Sequence, residues 1–213
     1  MSRLLVATAV EAERAAVLAG LPPGGDTVAV ATVGVGPAAA AAGTARLLAL
    51  AEAGGRPYRW VISVGIAGGF PGKAEIGAVV LATRSVAADL GADSPDGFLS
   101  LDALGFGATS YEPDPSLFAA LRAALPGAAT GPVLTVSTVT GTDTPPRFPD
   151  AVAEAMEGFG VACAAALSGT GFAELRAVSN LVGPRDRAAW RIRDALAALT
   201  AAAAAIHGCV SDE

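Results

Sequence analysis

Trp60-Val61-Ile62-Ser63-Val64-Gly65-Ile66-Ala67-Gly68-Gly69 is the stretch on which the fold turns. Residues 60–64 read as a hydrophobic strand, as expected for a strand covered on both faces. The three glycines within residues 65–69 then let backbone approach a ligand at little steric cost, or simply let the strand exit. The same design repeats outward. Toward the amino terminus a strand is expected at 28–33, ending in Gly34-Val35-Gly36-Pro37 and feeding a helix at 38–52; before it come a strand at 4–9 and a helix at 11–18. Toward the carboxyl terminus, strands are expected at 78–82, 133–137 and 174–179, with a strand-like turn at 152–155. Helices are expected at 116–125, 158–167 and 185–207, and residues 89–111 and 138–150 read as loops. Buried strands with helices between them make an α/β fold: one domain over residues 1–213 with a central mixed β-sheet flanked by helices.

Composition narrows the function classes. Of 213 residues, 53% are hydrophobic and 16% charged, which supplies a core and argues against a disordered module. The net charge of −6 and the lack of a basic stripe argue against a nucleic-acid partner. Cys163, Cys209 and His207 do not recur at ligand spacing, so no metal is expected, and Cys163 in its apolar stretch reads as a packed thiol rather than a nucleophile. The apolar run that begins after Met1-Ser2-Arg3 ends at Ala9 and is broken by Glu11 and Glu13, too soon for a secretory signal. No uncharged stretch reaches the ~20 residues of a spanning helix without a break, so no membrane partner and a cytoplasmic location are expected.

In sheets of this kind ligands sit beyond the carboxyl ends of the strands. That rule gathers Glu11 and Glu13, Gly34 and Gly36, residues 65–69, residues 138–143, Met156 and Glu157, and Ser179 and Asn180, all distant in sequence. Each has a plainer alternative. Gly34-x-Gly36 suggests a phosphate cradle, but Ala39 stands at the third glycine position of a dinucleotide fingerprint, and a tight turn into the helix is the commoner reason. No cofactor is expected. Glu157 can bind a sugar diol, or serve as a helix-start carboxylate. Asn180 can address a ligand, or cap the last helix.

Taken in order, these segments resemble the purine nucleosidase and nucleoside phosphorylase superfamily across nearly the whole chain. The resemblance rests on Ala9-Val10-Glu11-Ala12-Glu13, Val33-Gly34-Val35-Gly36, residues 63–69, Phe148-Pro149-Asp150-Ala151, Ala155-Met156-Glu157 and Arg176-Ala177-Val178-Ser179-Asn180. The chain is most similar to the methylthioadenosine/adenosylhomocysteine nucleosidases and, through Gly183-Pro184-Arg185-Asp186-Arg187 and Trp190, to the futalosine hydrolases of menaquinone biosynthesis.

The resemblance implies a purine nucleoside substrate and hydrolysis of its glycosidic bond. Glu13 matches the carboxylate that activates water, with Glu11 two residues away as the alternative register. Met156 and Glu157 match the pair that holds ribose, Asn180 the residue that addresses the leaving base, and Ala67, Gly68 and Ser179 the neighbouring substrate-binding positions. The adenosine-type enzymes carry Glu where this chain has Ala155 and Asp where it has Asn180. An amide has one donor face and one acceptor face, which suit the O6 acceptor and the newly protonated ring nitrogen of a departing 6-oxopurine, so hypoxanthine is the expected base. Gly77 stands where the phosphorylases carry a phosphate-binding Arg, which favours water over phosphate. A distal carboxylate of futalosine would fall to Arg147, Arg185 or Arg187, whose plainer reading is solvated surface. Relatives of this kind form homo-oligomers, commonly dimers. The rival readings are an adenine-releasing nucleosidase, a purine nucleoside phosphorylase, and a nucleoside- or dinucleotide-binding regulatory domain.

Overall fold

Every residue of β1 (Leu4–Thr8) is buried, because successive side chains feed two different layers. Leu4 and Val6 enter one apolar cluster and Leu5 and Ala7 another on the opposite side. The computed structural model describes residues 3–23, 26–143 and 147–211. After β1 come α1 (Glu11–Gly20), β2 (Val28–Thr32), α2 (Pro37–Ala53), β3 (Trp60–Gly69), β4 (Val79–Ala87), β5 (Gly91–Ser94), β6 (Gly97–Ser100) and β7 (Ser110–Tyr111). Then follow α3 (Pro115–Ala124), β8 (Ala129–Thr135), β9 (Ala153–Ala155), α4 (Gly158–Leu167), β10 (Gly171–Leu181), a single 3-10 turn at Arg187–Ala189, and α5 (Ile192–Ser211).

The sheet is mixed and folds back on itself. β1 lies parallel between β2 and β3. β10 pairs parallel with β3 and antiparallel with β4; β4 continues to β8, β8 to β9, and β9 returns antiparallel to β3. Five strands therefore close a ring, with β1 and β2 extending from it and β7 added at β4. Its interior is narrow, and small residues fit it: Ala67, Ala82, Ala153 and Ala155 with Val80, Val133 and Val178. α1, α3 and α5 cover one side through Val17, Leu117, Leu121, Leu199 and Ile206, while α2 and α4 cover the other. α4 is buried almost throughout. Gly160 lets it cross α2 closely, since a Cβ there would lie 2.2 Å from the Pro37 carbonyl.

The sheet flanked by helices matches the sequence expectation, with informative differences. The strand expected at 60–64 runs on to Gly69: its glycines stay in the ladder, pairing with β10 and β9, and are not a strand exit. The strands expected at 78–82 and 174–179 are longer in the same way. The expected loop at 89–111 contains the β5–β6 hairpin and β7. The final helix starts at Ile192, not 185, because the Asp186 carboxylate caps the 3-10 turn before it, accepting from the Ala188 N–H at 3.0 Å. Residues 144–146 of the expected 138–150 loop, and residues 1–2 of the amino-terminal reading, lie outside the described residues. No helix among the described residues is long and apolar enough to cross a membrane.

Candidate active site

Glu13 lies in the first turn of α1, where a carboxylate commonly satisfies orphan N–H groups. One oxygen does this: Oε2 accepts from the backbone N–H of Ala9 at 2.9 Å and of Val10 at 3.2 Å. The other has a different task. Oε1 crosses to β3 and accepts from the Ile66 N–H at 2.9 Å. This approach needs a glycine next door, since a Cβ on Gly65 would sit 2.7 Å from Glu13 Oε1 and from Arg176 Nη1. Glu13 is 3% exposed, whereas Glu11 is exposed and pairs at 2.8 Å with Arg14. Of the two carboxylates, the one that turns inward is Glu13.

Arg176 is the centre of the charged cluster. It is fully buried in β10 and bonded along its whole fork. Nε donates to Glu174 Oε1 at 2.8 Å, Nη1 to Glu157 Oε2 at 3.0 Å and Nη2 to Ser63 Oγ at 3.1 Å. The second oxygen of Glu174 accepts from the Ser85 hydroxyl. Gly158 leaves room for Glu174, because a Cβ there would come within 2.2 Å of its carboxylate. Glu157, the N-cap residue of α4, makes no side-chain cap to its own helix. Its Oε1 instead accepts from the Gly36 N–H at 3.3 Å. Glu157 thus stands at a helix start, as its plainer reading has it, while its side chain turns to Arg176 and Gly36; at Gly34-x-Gly36 a carboxylate of the protein meets the Gly36 N–H where a phosphate cradle was suggested.

Three carboxylates share one guanidinium. Burial pushes the Glu13 carboxyl up from its ordinary value, against the pull of the Ile66 N–H and of Arg176, and with Glu157 adding to the rise. Burial likewise raises Glu174, opposed by Arg176 and Ser85. Burial works against the charge of Arg176, but Glu174, Glu157 and Glu13 more than offset it. The arrangement keeps a fixed cation beside a carboxyl whose affinity for a proton is raised, a combination suited to general-base chemistry.

A cavity of about 400 Å³ opens farther along the same two strands. Gly68, Glu154, Asn180, Thr140, Val182 and Trp190 are among its walls. From Ile66, which holds Glu13, to Gly68 is two residues or ~7 Å of strand, so cluster and cavity are about a ribose apart. Asn180 is not a cap. Its Oδ1 accepts from Ser179 Oγ at 2.9 Å and its Nδ2 donates to the Leu181 carbonyl at 3.1 Å, which leaves one lone pair and one N–H for a ligand. A second cavity of about 580 Å³ adjoins the first through Val139, Thr140 and Glu154, and Arg147 lines it.

The sequence-derived residues thus divide. Glu13 and Glu157 meet at Arg176; Gly68 and Asn180 line the cavity; Ala67 and Ser179 lie between, the Ser179 hydroxyl also reaching the Ala67 carbonyl at 3.2 Å. Met156 precedes Glu157 and is half-buried. Sequence reasoning assigned no role to Arg176, Glu174 or Glu154. The available signal was a charged residue inside an otherwise apolar strand, since each must find a partner there. Cys163 is half-buried beside Tyr111, and burial raises its thiol, in keeping with a packed residue. Among the described residues no group of three or more His, Cys, Asp or Glu could hold a metal ion.

Residues 7–212 match the model of the phosphorylase superfamily. The futalosine hydrolase of Streptomyces coelicolor is 51% identical over 216 aligned positions, covering 92% of each chain. The fold is that of the Neisseria meningitidis 5'-methylthioadenosine/S-adenosylhomocysteine nucleosidase solved with methylthio-immucillin-A, at a TM-score of 0.81, 20% identity and 100% coverage of both chains. It is equally that of the Helicobacter pylori futalosine hydrolase, at a TM-score of 0.79, 18% identity and coverage of 100% of this chain and 98% of the other. With residues 7–212 matched by the superfamily model and half of the aligned positions shared with the Streptomyces enzyme, this chain belongs to the phosphorylase superfamily and, within it, to the futalosine hydrolase family.

Proposed function

We propose that the protein hydrolyses the N-glycosidic bond of futalosine, releasing hypoxanthine and dehypoxanthine futalosine as a step of menaquinone biosynthesis. The observation that carries this reading is the Glu13 carboxylate: buried, raised in pKa, and bonded to β3 two residues before that strand forms the wall of a cavity shared with Asn180. The mechanism follows from the charges. As the bond from C1′ to the base nitrogen breaks, its electron pair leaves with hypoxanthine and positive charge builds on the sugar. The ring nitrogen of the base takes a proton from solvent, matching the one that Glu13 later returns to solvent. Asn180 accepts from that new N–H and donates to O6. Glu13 takes a proton from the water whose oxygen attacks C1′, and Glu157, held by Arg176, accepts from the ribose hydroxyls beside Met156. Ala67, Gly68 and Ser179 border the path from ribose to base. No cofactor or metal takes part.

Water is preferred to phosphate because Gly77 supplies no cation. Its φ of +84° is a conformation that an arginine would adopt only with strain, and its N–H is bonded at 2.8 Å to the Val178 carbonyl. The distal carboxylate of futalosine falls to one of Arg147, Arg185 and Arg187. The presence of Arg147 and Arg185 on cavity walls supports those two; all three stack on aromatic rings, Arg147 on Phe98 and Arg185 and Arg187 on Trp190. We assign the protein a cytoplasmic location and a homo-oligomeric, dimeric state. The exposed Leu90, Leu99 and Phe106 around the β5–β6 hairpin support self-association. Light scattering on the purified chain checks the oligomer.

The test of function is chromatographic. Futalosine, inosine and methylthioadenosine are incubated separately with the protein, with and without phosphate. Hypoxanthine from futalosine at a phosphate-independent rate is the expected result. Adenine from methylthioadenosine, or release only with phosphate, contradicts it.

A further inference from the structure

The base cavity contains a carboxylate that the proposed mechanism leaves unused. Glu154 is 6% exposed, belongs to no ion pair among the described residues, and lines the cavity. Gly68 is its ladder partner across β9 and β3, and the same Gly68 is the ladder partner of Asn180 across β3 and β10. Glu154, Gly68 and Asn180 therefore form one row across three adjacent strands, spanning two strand spacings or ~10 Å. The middle position carries no side chain. A Cβ there would come 3.3 Å from Asn180 Nδ2 and 2.9 Å from Val182, so glycine keeps open the gap between a carboxylate and an amide.

The carboxylate is also fixed before any ligand arrives. Thr140 holds it with both of its donors, the backbone N–H to Oε1 at 2.7 Å and the hydroxyl to Oε2 at 2.6 Å. A carboxylate offers about four lone-pair sites, so acceptor capacity remains on each oxygen. What the row can read follows from hydrogen-bond polarity. A 6-oxopurine presents N1–H, O6 and N7 in sequence along one edge: donor, acceptor and, in the transition state, donor. A 6-aminopurine presents an acceptor at N1 and a donor at the 6-amino group. Asn180 offers both an acceptor and a donor, so on its own it discriminates incompletely. An ionised carboxylate only accepts, and it faces the N1 lone pair of adenine with like polarity.

We infer that Glu154 is the specificity-determining residue of the base subsite, accepting N1–H of a 6-oxopurine across Gly68 from Asn180 and rejecting 6-aminopurines. This rests on the nucleosidase reading above for the base that leaves, but its test is separable. The isosteric change Glu154→Gln keeps an acceptor for Thr140 and adds an amide N–H that can donate to an unprotonated N1. A second variant, Glu154→Ala, removes the group.

The experiment measures binding of free hypoxanthine and free adenine to wild type and both variants by calorimetry, together with kcat/KM on futalosine and its 6-amino analogue. Wild type is expected to favour the oxo member of each pair, E154Q to lower that preference by ~100-fold, and E154A to weaken hypoxanthine binding while leaving little choice between bases. A residue that merely supports the Thr140 loop would depress both bases equally. An unchanged oxo-to-amino ratio in E154Q and E154A overturns the inference. If wild type releases nothing from futalosine, the functional reading fails, yet the two binding ratios still decide the role of Glu154: a preference for hypoxanthine that E154Q erases upholds it, and no preference in wild type overturns it.

Discussion

The charged cluster around Arg176 and the cavity around Gly68 lie on the same two strands and are built on opposite principles. In the cluster every charge is answered: Arg176 spends its fork on Glu174, Glu157 and Ser63, and Glu13 takes three backbone N–H groups. Such groups cannot reorganise, and removing one leaves another uncompensated. In the cavity the polar groups retain unused donors and acceptors, as Asn180 does, and wait for a ligand. The difference teaches where rate and choice reside. A preorganised cluster acts on charge that develops during reaction. A partly unsatisfied wall distinguishes one base from another.

The strongest way to break that division is Glu13→Gln. It should lower kcat/KM on futalosine by ~10³-fold, read as hypoxanthine release, while Glu11→Gln, which removes only an exposed pairing with Arg14, changes little. Arg176→Met is less informative about rate, because it strands buried carboxylates and should cost about 3–5 kcal/mol of stability by denaturant titration. Asn180→Asp acts on the other region. It should cut kcat/KM for 6-oxopurine substrates by ~100-fold with a smaller loss, or a gain, on 6-aminopurines, and equal losses on both would erase the distinction between cluster and cavity.

Acidity sharpens the same contrast. Because burial raises Glu13 above its ordinary value of 4.5, the acid limb of the kcat/KM profile should lie above that pH and fall about tenfold per unit below it. The sign for stability is opposite. A carboxyl raised on folding contributes stability that is complete below 4.5 and lost as pH rises through the folded value. The Tm of wild type relative to E13Q should therefore decline from acid to neutral pH, over the range in which activity appears. The smallest expected effect is at Gly77. Gly77→Arg should cost roughly 1–3 kcal/mol through its backbone conformation and leave hydrolysis independent of phosphate, measured by thermal melting and by rates in phosphate buffer.

These regions also differ in how far the sequence disclosed them. Glu13, Glu157, Gly68 and Asn180 were accessible because each stands near the carboxyl end of an apolar run, where the sheet rule gathers ligand-binding residues. Arg176, Glu174 and Glu154 lie inside strands. Their meaning depends on partners such as Ser85 and Thr140, which are distant in sequence or set in an irregular loop, and apolar periodicity carries no record of such pairs. The fold shows a similar split. β1 and the start of β3 were legible from mostly apolar runs, whereas the β5–β6 hairpin, exposed at most of its positions, lacks the apolar alternation in sequence that marks a half-buried strand. The ring closure depends on β10 pairing with β3 and β4 at once, a tertiary fact with no local signature.

The most direct test of the division is to measure E13Q in two ways on one preparation: hypoxanthine release from futalosine, and calorimetric binding of hypoxanthine. If Glu13 activates water and the Gly68 cavity selects the base, release falls by ~10³-fold while the affinity for hypoxanthine stays within about twofold of wild type. Turnover within about tenfold of wild type, or loss of base binding in step with loss of turnover, would contradict it.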